Sequence, residues 1–254
     1  MSNQTGIYVF CGVQTTETPD LEPIEMEGKE REIFTISHKD AAMIVAEVPM
    51  KIYHPKKENL MMHQKVINQL MPHYDAVIPI SFGNVFQSVE DVEKLLESLY
   101  PQFSEIFPKI RGKVELGLKV IAKKSWLESE VEKNPSMTKK KQAMQGKSKE
   151  ASYYDRIQLG EMANKFFQDL QGQMNDEIYQ PLSQQADAAK LNDPISEKML
   201  MNAAFLVDRS AEETFDELVN SIHDQWEDKV DFKYTGPWPA YNFINIRMKV
   251  EEPT

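Results

Sequence analysis

The chain has 254 residues, 41% of them hydrophobic and 27% charged, which is enough apolar material for one large domain or two ordinary ones. Asp and Glu outnumber Lys and Arg by 40 to 29, for a net charge of -11. That balance repels nucleic acid and anionic membrane surfaces, so neither is expected as a partner. The single cysteine, Cys11, excludes an intramolecular disulfide and fits a reducing compartment. No run of about 18 apolar residues is present and Met1–Thr5 lacks the basic and apolar regions of a leader, so a cytoplasmic protein is expected.

Ile7 to Val13 is apolar and predicts a first strand, with Cys11 as a buried structural thiol. An acidic, proline-containing loop follows from Glu17 to Glu30. Glu32–Ser37 and Ala42–Val48 predict two strands, and Lys39-Asp40 between them is short enough for a hairpin turn. Asn59–Met71 predicts a helix stopped at Pro72. Ala76–Ile80 is an unbroken apolar run, the pattern of a strand buried on both faces, yet it holds Pro79, which a central strand tolerates poorly. It breaks at Phe82-Gly83-Asn84, where glycine and asparagine permit backbone angles that other residues resist. Ser88-Val-Glu-Asp91 has the form of a capping box. It opens a helix from Val89 to Phe107, with Val89, Val92, Leu95, Leu96, Leu99, Phe103 and Phe107 on one face; Pro101 is expected to kink or restart it.

Arg111-Gly112 opens a second unit. Val114, Leu116, Leu118 and Val120 alternate with Lys113, Glu115, Gly117 and Lys119, predicting a strand with one wet face. Lys133–Lys149 is polar and basic around Lys139-Lys-Lys141; it reads as a solvated helix end or mobile loop, or else as a contact for an acidic partner surface. Ser152–Gln180 carries a helical stripe of Leu159, Met162, Phe166, Leu170, Met174 and Ile178, ended by Pro181. Lys198–Val207 predicts another strand. Ser210-Ala-Glu-Glu213 repeats the capping-box form before a helix with Phe215, Leu218, Val219, Ile222 and Trp226 on one face, and Val230–Tyr234 is a last alternating strand. In Gly236-Pro237-Trp238-Pro239 two prolines fix φ and predict a stiff turn that pins Trp238. That turn is either a corner plugging the core with Tyr241 and Phe243, or a rigid aromatic surface for a partner.

The pattern predicts an α+β protein of two domains, each a small mixed or antiparallel sheet with helices packed on one face. Residues 1–110 form the N-terminal α+β domain. Residues 111–254 form a ferredoxin-like α+β domain with a long helical insertion at about 125–182. Chemistry is hard to find in it. The five histidines make no H-x-H or HExxH pair, and GxSxG, P-loop and GxGxxG sequences are missing, so no catalytic residue, cofactor or metal ligand is expected. The rival reading, a ferredoxin-like enzyme or regulatory ligand-binding protein, needs a site assembled only in three dimensions, for instance a polar pocket joining His63, His73 and Asp75.

A series of motifs in order resembles the gas vesicle GvpF/GvpL family. Gly6-Ile-Tyr-Val-Phe10 resembles its opening strand and Asp40-Ala-Ala-Met-Ile-Val45 its hairpin arm. His63-Gln-Lys-Val-Ile67 matches its H-x-x-V helix. Ile78-Pro79-Ile-Ser-Phe82-Gly83-Asn-Val85-Phe86 matches its central signature, with Ser81 and Asn84 in place of the usual Arg and Thr. Gly112-Lys-Val-Glu115-Leu-Gly-Leu-Lys119 matches a further motif. Thr235-Gly236-Pro237-Trp238-Pro239-Ala-Tyr241-Asn-Phe243 matches the last, with Ala240 replacing a proline. The resemblance implies a non-catalytic accessory protein for building gas vesicles, hollow cytoplasmic shells with a gas-filled interior. It implies as partners the small, strongly apolar shell subunit of the GvpA/GvpB type and other gas vesicle accessory proteins. Such a subunit exposes an apolar face and open strand edges before assembly. It would be held either by strand addition to a sheet edge or in a groove lined by methionines and aromatics.

Overall fold

The computed structural model describes residues 4–15, 17, 22–26, 28–144 and 153–247. These fall into two compact units: residues up to Glu115 together with those from Pro237 onward, and Leu116–Gly236. Residues 111–254 were expected to form a single domain; the segment from Pro237 onward groups instead with the first unit.

In the first unit the strands are β1 (Thr5–Gln14), β2 (Ile24–Met26), β3 (Lys29–Arg31), β4 (Ile33–His38) and β5 (Ala41–Pro49). The helix α1 (Lys57–Leu70), the strands β6 (Val77–Pro79) and β7 (Val85–Phe86), and the helix α2 (Val89–Ile110) follow. The main sheet has the order β4-β5-β1-β6, and β7 also pairs with β1. β1 is antiparallel to all three of its neighbours. Every residue from Ile7 to Val13 is buried, so this strand is covered on both faces and not on one as expected. Burial pushes the Cys11 thiol pKa up and keeps it inert.

Three local expectations give way here. The acidic loop contains the small β2–β3 hairpin, because Ile24 and Met26 alternate inward across Glu25. The Ala76–Ile80 strand shortens to three residues and stands at the sheet's edge, which is how it accommodates Pro79. α2 runs unbroken through Pro101 and Pro108. Both prolines lie on its exposed side, where water satisfies the carbonyls that lose an N–H partner. The start of α2 is as expected: Ser88 Oγ accepts the Asp91 N–H at 3.2 Å and donates to the Asp91 carboxylate at 2.9 Å.

The second unit follows β8 (Lys113–Ala122), whose first residues belong to the first unit. The helices α3 (Lys124–Glu132), α4 (Pro135–Met144), α5 (Tyr153–Met174) and α6 (Gln180–Ser183) come next, then β9 (Ala188–Leu191), β10 (Met199–Asp208), α7 (Glu212–Trp226) and β11 (Val230–Trp238). The sheet order β11-β8-β10-β9 puts the first and third strands at the centre. With helices between the first and second and between the third and fourth, this is the βαββαβ ferredoxin-like arrangement. The short strand β9, unforeseen in the polar stretch after Pro181, completes it. Pro181 does not end the long helix. A π-helical turn at Asn175–Tyr179 re-phases the hydrogen bonds, so that Pro181 stands in the opening turn of α6, where no N–H is needed from it. The Ser210 capping box does not form. A 3₁₀ turn at Arg209–Ala211 leads into α7, and Ala211 occupies the cap position. Lys139–Lys141 lies on α4; Lys140 pairs with Asp155 of α5 at 2.8 Å, while Lys139 and Lys141 are exposed. Ser152 and Gln145–Lys149 lie outside the described residues.

Candidate functional site

Among the described residues one histidine, His63, and one carboxylate, Glu115, are buried; both belong to the sequence motifs, and both are at 5% exposure or less. His63 projects from α1 towards β1. Its Nε2 lies 3.1 Å from the Ile80 carbonyl, which can only accept, so Nε2 carries the proton. Nδ1 is then an acceptor and takes the Tyr8 O–H at 3.0 Å. The Tyr8 oxygen in turn accepts the Gly83 N–H at 3.1 Å. One relay thus ties the opening strand, the H-x-x-V helix and the central signature. Around it Tyr8 packs against the rings of Phe10, Tyr53 and Phe82, and His63 against those of Tyr8, Phe10 and Phe82, with centroids 4.7–6.2 Å apart. Burial lowers the His63 pKa, so the imidazole is neutral, and burial raises that of Tyr8 to about 12. Gly83 has φ +90, which only glycine adopts without strain, and that angle turns its N–H towards Tyr8.

Glu115 anchors the last motif. Its carboxylate accepts the Asn242 backbone N–H at 2.7 Å and the Asn242 side-chain N–H at 2.6 Å, a two-point, charge-assisted grip on the C-terminal segment. Next to it the Tyr241 O–H donates to Gln64 of α1 at 2.9 Å. Further along, Gln102 of α2 accepts the Arg247 N–H and donates to the Arg247 carbonyl, each at 3.0 Å. A shallow cavity of about 220 Å³ lies between Pro79–Ser81 and this segment, below the roughly 300–1,000 Å³ usual for ligand pockets.

The motif residues therefore divide. His63, Phe82 and Gly83 meet at Tyr8. Val85 and Phe86 form β7 beside Ile7 and Tyr8, and Pro79 pairs with Cys11. Gly112, at φ +68, donates its N–H to the Asp75 carbonyl at 2.8 Å. Lys119 and Gly236 fall in the second unit and join neither cluster. The Gly236-Pro237-Trp238 run is not the expected turn, because it continues β11; the chain turns after it, at Ala240–Phe243. Of the two readings of this segment, the core plug is not what forms: Trp238 and Phe243 are half-buried, Tyr241 is 41% exposed, and Pro239 and Ala240 are the buried residues. The pocket joining His63 to His73 and Asp75 does not form either, since both His63 nitrogens are taken within the core while His73 and Asp75 are exposed. Tyr8 and Asn242 were not singled out from sequence. A lone hydroxyl in an otherwise apolar strand was the available signal for the first.

One group of possible metal ligands exists among the described residues. His223, Asp224 and Glu227, at the end of α7, have ligand atoms within 4.8 Å of one another. Asp224 and Glu227 are exposed, and the Lys123 amine donates to the Glu227 carbonyl, placing a positive charge where a cation would compete with it.

The family model described as "Gas vesicle synthesis protein GvpL/GvpF" matches residues 6–245. Gas vesicle protein F of a Nostoc species is 25% identical, with the match covering 95% of this chain and 99% of that one. Gas vesicle protein F of Haloferax mediterranei is 23% identical over 97% and 96%. Gas vesicle protein L of a Streptomyces species is 27% identical over 72% and 68%. The fold matches the crystal structure of GvpF from Anabaena sp. PCC7120 with a TM-score of 0.80 at 23% identity, covering 96% of this chain and all of that one. It matches GvpF from Microcystis aeruginosa with a TM-score of 0.75 at 22% identity, covering 94% and 98%.

Proposed function

Because this chain belongs to the GvpL/GvpF family of gas vesicle synthesis proteins, we propose that it assists vesicle formation in the cytoplasm by binding the strongly apolar shell subunit, and that it catalyses no reaction. The observation that carries this reading is the way its motif residues are used. Of the polar ones, His63, Tyr8 and Glu115 are directed inward and spend their hydrogen bonds on holding the first unit together. What remains for function is the outer surface of a firmly held scaffold. Its net charge of -11 keeps that scaffold soluble while it holds a partner prone to aggregate. Among the described residues no helix is long and apolar enough to cross a membrane.

The test is co-expression of the tagged chain with a GvpA-type shell subunit, followed by affinity recovery, together with deletion of the gene in a vesicle-forming host. The expected outcome is co-recovery of the subunit and loss or malformation of vesicles. No recovery together with normal vesicles rejects the proposal.

A further inference from the structure

Strands β4 and β6 stand at the edges of the first unit's sheet, and β9 and β11 at those of the second. An edge offers unpaired N–H and C=O groups to any extended chain, and proteins blunt edges with proline, lysine or very short strands. β6 is three residues long. Its ladder to β1 uses the Ala76 carbonyl and the Ile80 N–H, so Val77 and Pro79 face outward, and Pro79 has no N–H to offer. β9 has four residues, including Lys190, and β11 carries Lys233 and Pro237. β4, Ile33-Phe-Thr-Ile-Ser-His38, has no lysine, proline or carboxylate, and pairs with β5 without a register shift.

The hairpin sets which of its groups face outward. His38 pairs with Ala41 across the two-residue turn, whose first residue, Lys39, has the positive φ that a II′ turn requires. The hydrogen-bonded pairs then fall at His38, Ile36 and Phe34, and Ile33, Thr35 and Ser37 turn their N–H and C=O away from β5. α2 lies over the face that carries Ile36 and His38: Ile36 is 5% exposed, and the His38 ring sits 5.2 Å from that of Tyr100. Among the described residues no backbone hydrogen bond reaches the outer row.

We propose that the outer edge of β4 takes up an extended apolar segment of the shell subunit by strand addition; this rests on the function proposed above. Charge selects the occupant. α2, alongside, bears Glu90, Asp91, Glu93, Glu97 and Glu105 against Lys94 and Lys109, and Glu97 approaches His38 to 3.8 Å. A second copy pairing through β4 would set two such acidic rims together on molecules of charge -11 each, whereas an uncharged apolar strand meets no repulsion.

Thr35→Pro tests the assignment. The Thr35 N–H points away from β5, so proline deletes an outward donor and spares the β4–β5 ladder; Thr35→Val keeps that donor and serves as the control. In co-expression with the shell subunit, Thr35→Pro is expected to keep the wild-type circular dichroism spectrum and recover at least about tenfold less subunit, with Thr35→Val recovering as much as wild type. If Thr35→Pro misfolds, amide exchange on the wild-type complex replaces it: the amides of Ile33, Thr35 and Ser37 are expected to slow at least tenfold on binding. Wild-type recovery by a folded Thr35→Pro chain, or unchanged exchange of those amides, overturns the assignment and leaves the proposed function standing. A wild-type dimer that Thr35→Pro dissociates also overturns it, since a second copy then holds the edge. Absence of subunit binding by the wild type rejects the proposed function itself.

Discussion

Acid should loosen the first unit through His63. Unfolded, this imidazole titrates near its ordinary value of about 6.5. Folded, burial depresses its pKa, with the Ile80 hydrogen bond opposing only in part. Below pH ~6.5 the unfolded chain therefore takes up a proton that the folded chain declines. The stability present above that pH is lost as pH falls from about 6.5 towards the depressed folded value. At pH 5.5 the unfolded chain's protonation alone caps the loss at RT ln(1 + 10), about 1.4 kcal/mol, or at most roughly 3–5 °C in melting temperature for a unit of this size. His63→Gln removes the titration, and its difference from wild type isolates the effect, because groups common to both chains cancel. Protonation at Nδ1 also turns an acceptor into a donor and breaks the Tyr8 relay, so loosening should be local to β1, α1 and the Phe82–Gly83 corner. The assay is amide exchange of the slowest β1 amides at pH 7.5 and 5.5, corrected for intrinsic rates. Parallel behaviour of wild type and His63→Gln across that interval would refute the argument, because it would mean that the imidazole charges as readily folded as unfolded.

The same packing carries further expectations. Tyr8→Phe strands the Gly83 N–H and His63 Nδ1 together and should cost about 2–4 kcal/mol in chemical denaturation. Gly12→Ala drives a Cβ into the edge of the Phe103 ring and should cost about 1–3 kcal/mol, with Phe103→Leu restoring part of the loss in the double variant. Glu115→Ala releases both Asn242 donors and should speed proteolysis in residues 243–247 well before the first unit unfolds globally; unchanged cleavage there would show that the grip does not hold the segment.

Much of the architecture was legible because burial imposes periodicity. β1, β5, α2, α7 and β10 follow from apolar runs or stripes, and the Ser88 cap from its spacing. What escaped depends on context beyond the local pattern. Pro101 in an isolated helix is a breaker, but on the exposed side of one held by Val92, Leu96, Leu99 and Phe103 it is tolerated. Ala188–Leu191 becomes a strand through pairing with β10, which its own propensity does not announce. The capping-box form at Ser210 lost to the 3₁₀ turn before α7. Motif matching pointed to His63, Gly83 and Glu115, yet their roles became visible only with Tyr8 and Asn242, which lie 55 and 127 positions from their partners. Nothing in a linear pattern marks such a distance.

Chain order gives the ferredoxin-like unit an unusual place in biosynthesis. It occupies a single internal stretch, so it can fold as soon as Gly236 clears the ribosome. The first unit begins earlier and finishes later, since the carboxylate of Glu115 waits for Asn242 to emerge. Nascent chains should therefore complete the middle before the beginning. A chain that stops short of Asn242 should therefore leave Glu115 without this grip and the first unit more open to proteolysis.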